Sequence, residues 1–393
     1  MFASFCRRRL LLHIRKISGG GGTNPLQSIP GAIHLAHTSS LTAVSSAPNS
    51  ELCPATVSYL ISCGLSPAAA ATAATTQKTR ILSTDKADDV RALLRDYGFT
   101  DADIVRTLRR AAKLLTADPE RVLRPKLAFF ASLGFEPRKL AHSPSLLGRS
   151  LDKHLVPSIQ FLRDTIGTDD QLRVAFHRKP RALTADLDNN MRPAVEALRR
   201  GGLAEAAISK LLVIDLGVLM LSPDRISKIF EDLKEIGACT ADSRFVYCFD
   251  AMCAVKRETW LRKLSLYTSF GLSEGEVFNA FKTQPRILNL ADENIEKKVR
   301  FLLDELKLGI HDIMSRPVIL CYSLDKCILP RCAVLSVLMR EGKIQRDVKL
   351  PQALLGNSRV FSTKYVFKHA DKVPDVVKAY EGKIKFEGFG CNR

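Results

Sequence analysis

None of the ten cysteines belongs to a Cys-x-x-Cys pair: Cys248 and Cys253 lie five apart, and Cys321, Cys327 and Cys332 lie six and five apart. Structural zinc sites need tighter chelate pairs, so no metal site is expected from these thiols. Nothing reads as a secretory leader, so buried reduced thiols are expected rather than a disulfide framework. Aromatic residues are scarce, with one Trp and seven Tyr, too few for a sheet platform that stacks RNA bases. There is no Walker loop, no His-Glu-x-x-His and no Gly-x-Ser-x-Gly, and the glycine run at 19–22 has neither a strand before it nor a Lys-Ser/Thr after it. The eight histidines are scattered. His142 and His177 read as surface or packed residues, and Asp88-Asp89 and Asp169-Asp170 as helix-start acids. No catalytic constellation, enzyme activity or cofactor is therefore expected. Apolar runs are too short for a membrane span; the uncharged stretch from Leu52 to Gln77 is divided by Pro54, Gly64 and Pro67.

Acidic residues are absent before Glu51, whereas Arg7, Arg8, Arg9, Arg15 and Lys16 crowd the first sixteen positions. Residues 1–50 therefore read as an organelle transit peptide and linker, mitochondrial by arginine density, with a chloroplast as the alternative. The remainder keeps 54 basic residues against 41 acids, within a whole-chain charge of +18. A balance of that kind points to an anionic partner.

What the chain does contain is a repeat. Pro-x-Leu/Ile-Leu elements occur as Pro144-Ser145-Leu146-Leu147, Pro180-Arg181-Ala182-Leu183, Pro285-Arg286-Ile287-Leu288 and Pro317-Val318-Ile319-Leu320. Copies without proline are Thr79-Arg80-Ile81-Leu82, Ala112-Lys113-Leu114-Leu115 and Gly217-Val218-Leu219-Met220. Steps are 33, 32, 36, 37, 68 and 32 residues, the long one spanning a degenerate unit near Ala251. Glycines 64, 98, 134, 167, 202, 237, 271, 309 and 342 keep the same period and suit left-handed helix ends. Cap pairs follow some of them: Thr100 with Asp103, Thr168 with Gln171, Ser273 with Glu276. Each unit thus reads as a helix, a glycine turn, a second helix, and a tight proline turn with its leucines in the core. First helices are expected to start at Leu123-Arg124-Pro125, Leu155-Val156-Pro157, Met191-Arg192-Pro193 and Ile328-Leu329-Pro330. The expected fold is all-α, a right- or left-handed superhelical solenoid of about eight to nine helix-turn-helix repeats of about 34 residues. It would occupy residues 51–350, with 351–393 as a C-terminal capping segment.

This series resembles the mTERF family, the mitochondrial transcription termination factors, and its land-plant branch in particular. The carrying residues include Gly98-Phe99-Thr100-Asp101-Ala102-Asp103-Ile104 and Gly271-Leu272-Ser273-Glu274-Gly275-Glu276-Val277, with a closing segment around Phe361 to Val366 and Ala379 to Lys383. Pentatricopeptide arrays share the period but lack the proline series. The resemblance implies an all-helical array whose basic concave face binds double-stranded nucleic acid in an organelle; some plant members are instead similar to RNA-binding splicing factors.

Cations recur at one phase of the unit, beside second-helix ends and proline turns: Arg106, Arg109, Arg110 and Lys113; Arg178, Lys179 and Arg181; Lys282 and Arg286; Arg316. These are the candidate nucleic-acid contacts, weighed against solvated helix C-termini where cations favour the dipole. Duplex DNA is the first partner and RNA the second, held by a monomer, with a helical protein adaptor as the third possibility. About 6 to 10 phosphate contacts would lower affinity by about 10³ to 10⁵ between 50 and 200 mM salt.

Overall fold

The computed structural model describes residues 53–345 and 348–389. The transit-peptide reading of residues 1–50 lies outside them. Every regular element among the described residues is helical, and the chain separates into two compact units. One comprises residues up to Glu196 with Leu212–Ser222; the other comprises Ala197–Leu211 with residues from Pro223 onward.

Within the first unit the helix pairs run in the expected order: Thr84–Asp96 with Asp101–Ala111, the helix ending at Ser132 with Pro137–His142, and the helix ending at Ile166 with Asp169–Arg178. Single turns of 3₁₀ helix follow at Ala112–Thr116, Pro144–Leu146, Pro180–Thr184 and Leu216–Met220. The second unit repeats the plan with turns at Pro285–Asn289 and Pro317–Cys321. In these turns the proline and the last leucine are buried: Leu147, Leu183, Leu288 and Leu320 are 1% exposed or less. Proline fixes φ and the tight turn aims both apolar positions inward, leaving the second motif residue outside. Three units depart from this: the Gly217 copy ends on an exposed Met220, and two others form no such turn. Thr79 to Leu82 forms no tight helix and Leu82 is 87% exposed, while the degenerate unit near Ala251 extends its second helix, Phe245–Cys253, in place of a turn.

First helices begin earlier than their prolines suggest. Asp118, Ser150, Asp186 and Ser323 are the true N-caps, each seven residues ahead of Pro125, Pro157, Pro193 and Pro330. Between cap and proline runs one wide π turn, in which Arg124, Val156, Arg192 and Leu329 donate to carbonyls five residues back. Proline has no N–H for the carbonyl four back and its ring crowds that carbonyl, so the preceding turn widens.

Eight of the nine marker glycines adopt positive φ; the exception is Gly309, at φ −69°. Lys307 takes the left-handed position instead, at φ 53°, and Gly309 serves as an N-cap. Capping boxes form at Thr100–Asp103 and Ser273–Glu276. The Asp88 carboxylate lies past the first turn of its helix, where it accepts from Tyr59 and Arg91. Aromatic clusters fill the core, Phe130, Phe135 and Phe176 in the first unit and Phe230, Phe245 and Phe249 in the second. Of the described cysteines, Cys63, Cys248 and Cys332 are buried as expected, whereas Cys239 is exposed.

Candidate nucleic-acid interface

The second helices are short, so cations at both of their ends converge on the adjoining turns. In the first unit, Arg138, Lys139 and His142 from Pro137–His142 and His177, Arg178 and Lys179 at the end of the next second helix line one open cleft of about 860 Å³. Arg181 from the proline turn, with Pro180, Gly217 and Met220, completes the wall. Five fixed positive charges therefore face a common space, beside one carboxylate on its rim, Glu136, whose Oε1 is 3.9 Å from His177 Nδ1.

Two features shape the floor. Lys179 is paired with Asp215, whose other oxygen accepts the Gly217 N–H at 2.7 Å. Gly217 stands where other repeats carry proline, and a Cβ there would lie 2.8 Å from Asp215 Oδ1 and 3.1 Å from Lys179 Nζ. The small residue thus makes room for the ion pair. His142 Nδ1 lies 2.7 Å from the Arg138 carbonyl, so that nitrogen must carry the proton.

The ten sequence candidates divide by what holds them. Arg106 is bonded at 2.8 Å to Asp103. Burial alone would raise the Asp103 carboxyl, but bonds from the Thr100 hydroxyl and N–H and the Arg106 charge prevail and hold it below the usual range. Arg110 donates to the His142 carbonyl at 2.8 Å, and Arg178 to the Val213 carbonyl at 3.0 Å. Each of these ties the end of one second helix to the end of the next, whereas Lys210 in the second unit donates to the Ser243 carbonyl, just ahead of the next second helix. Arg109, Lys113, Arg181, Arg286 and Arg316 are exposed. Lys282 is half-buried and lines a separate cleft of about 380 Å³ with Asp242, Arg244 and Cys239 in the second unit. The structure thus gathers Arg178, Lys179 and Arg181 and does not place Arg106, Arg109, Arg110 or Lys113 in that cleft. Arg138 and Lys139 escaped the sequence reading, which weighed second-helix ends only; a six-residue helix brings its start equally close.

No group of His, Cys, Asp and Glu among the described residues is placed to hold a metal ion, and none of their helices is long and apolar enough to cross a membrane.

Fold and cleft together define an all-α helical-repeat protein with a cationic groove. The chain belongs to the mTERF family, whose model matches residues 91–237 and 139–362. It is similar to the chloroplastic transcription termination factor MTERF8 of Arabidopsis thaliana, with 24% identity over 230 residues, 57% of this chain and 46% of that protein. It is also similar to the mitochondrial transcription termination factor MTERF15 of the same plant, with 21% identity over 287 residues, 73% of this chain and 57% of that protein. The chain spans about half the length of these curated relatives.

Proposed function

We propose that this protein is an organellar nucleic-acid-binding regulator of gene expression, acting on duplex DNA in transcription, including termination. The observation that carries the reading is the cleft, where Arg138, Lys139, Arg178, Lys179 and Arg181 converge from successive repeats on one open groove. Cations in that arrangement hold phosphates and set register without reading bases. The mechanism is passive: a bound array obstructs or positions the polymerase. The names of the two relatives support an organelle, and the arginine-rich leader favours the mitochondrion.

Crosslinking the organelle-targeted protein and sequencing the recovered DNA and RNA tests this. Enrichment of DNA at defined sites is the expected result. Recovery of RNA alone replaces it with a role in splicing or ribosomal RNA maturation, and recovery of neither leaves a protein adaptor.

A further inference from the structure

A series of buried cations recurs in the first helices. Lys126 Nζ donates to the Leu147 carbonyl at 2.8 Å and Lys298 Nζ to the Leu320 carbonyl at 2.6 Å. Lys263 bonds the Leu290 carbonyl and Asp292, and Arg331 bonds the Leu354 carbonyl at 2.5 Å. All four are less than 9% exposed. In each case a charge on the first helix latches the carbonyl that ends the same repeat, and for Lys126 and Lys298 it is the fourth residue of the proline turn.

The repeat that builds the cleft breaks the pattern. Lys126 follows Pro125 and Arg331 follows Pro330, but Ala194 follows Pro193, and the residue after Pro157 is Ser158, fully buried with its Oγ lacking any partner. Four residues earlier, on the same helix face, His154 Nε2 lies 2.8 Å from the Leu183 carbonyl, the fourth position of the Pro180 turn. Arg149 bonds the neighbouring Thr184 carbonyl at 2.6 Å. That turn carries Arg181, and Lys179 immediately precedes it.

We infer that His154 is a positioning residue of the cleft, substituting for the missing buried cation and holding the Pro180–Thr184 turn so that Arg181 and Lys179 face a bound phosphate backbone. The inference rests on the nucleic-acid reading above. A half-buried imidazole bond is weaker than a buried ammonium-to-carbonyl bond, so the order of this turn rests on His154 together with Arg149, which bonds the next carbonyl.

The test uses the full chain and fluorescence anisotropy with a labelled mixed-sequence DNA duplex of about 20 base pairs, long enough for several phosphate contacts. His154→Ala is expected to bind about fivefold more weakly, the loss of about one ordinary hydrogen bond, with a log K against log salt slope flatter by about 0.9. His154→Gln, which keeps a donor at the Nε2 position, is expected to bind like the wild type. Adding Ser158→Lys to His154→Ala rebuilds the buried latch and restores both affinity and slope. Should His154→Ala melt below the assay temperature, His154→Asn, whose shorter amide cannot reach Leu183, takes its place. Wild-type binding by His154→Ala alongside weak binding by Arg181→Ala overturns the role of His154 alone. Wild-type binding by both variants overturns the cleft reading itself. A defect in His154→Ala that Ser158→Lys does not repair assigns His154 a different part and overturns the latch.

Discussion

A lysine in this chain cannot be assigned from its type. Lys298 is 3% exposed and its ammonium satisfies the Leu320 carbonyl, while burial pulls its pKa below the ordinary lysine value. Replacing it removes a charge-assisted bond and strands a buried carbonyl, a defect worth about 1 to 3 kcal/mol. Lys298→Ala should therefore lower the thermal midpoint clearly, and Arg316→Ala, at an exposed position, should leave it unchanged; calorimetry on both decides the matter. Carboxylates differ in the same way. Glu276 is held down at about 2, against a usual 4.5, by the Ser273 hydroxyl, the Ser273 N–H and His311. A depressed acid contributes stability that is present above its unfolded pKa and lost as pH falls through the folded one. The capping box should thus be intact at pH 5 and fail between about pH 4 and pH 2. Melting curves of wild type and Glu276→Gln should then diverge above that window and merge below it.

Elements were legible wherever the signal was a local backbone constraint. Proline turns and left-handed glycines appear at their expected positions because each depends on one residue's φ. Gly309 misled because glycine is also accepted as an N-cap, and a lysine two residues earlier closed the helix. First-helix starts were misplaced because a proline suits a first turn and equally tolerates a widened turn ahead of it. The caps Asp118, Ser150, Asp186 and Ser323 went unread because nothing in the sequence marks the π turn that separates them from the prolines. If Ser150 is the true cap, Ser150→Ala should cost about 1 kcal/mol. A chemical-denaturation change below about 0.3 kcal/mol, within the ordinary scatter of surface substitutions, would return the helix start to Pro157.

At the scale of the molecule, the charge excess is smaller in effect than in count. Lys126, Lys263, Lys298 and Arg331 are spent inside the repeats, Arg106 is bonded to Asp103, and Lys179 shares its charge with Asp215. These pairings join residues 21 to 36 positions apart in most cases. Sequence phase alone located the repeats but could not separate latch, tie and open cation. The cleft offers about four cations once Lys179 is discounted, Arg178 keeping its charge while bonded to the Val213 carbonyl, which for a duplex gives a log K against log salt slope of about −3.6, at about −0.9 per phosphate. Affinity through the cleft should accordingly fall by about a hundredfold between 50 and 200 mM salt, less than the ten candidates suggested. Single substitutions separate the roles: Arg181→Ala should weaken binding to all duplex sequences alike and flatten the slope by about 0.9, whereas Arg106→Ala should leave the slope unchanged. Asp215→Asn should act in the opposite sense, because the amide can still accept from Gly217 N–H while releasing Lys179. Its expected signature is tighter binding and a slope steeper by up to about 0.9, and a titration series at four salt concentrations reads both; weaker binding would mean that Asp215 orders Lys179 rather than competing for it.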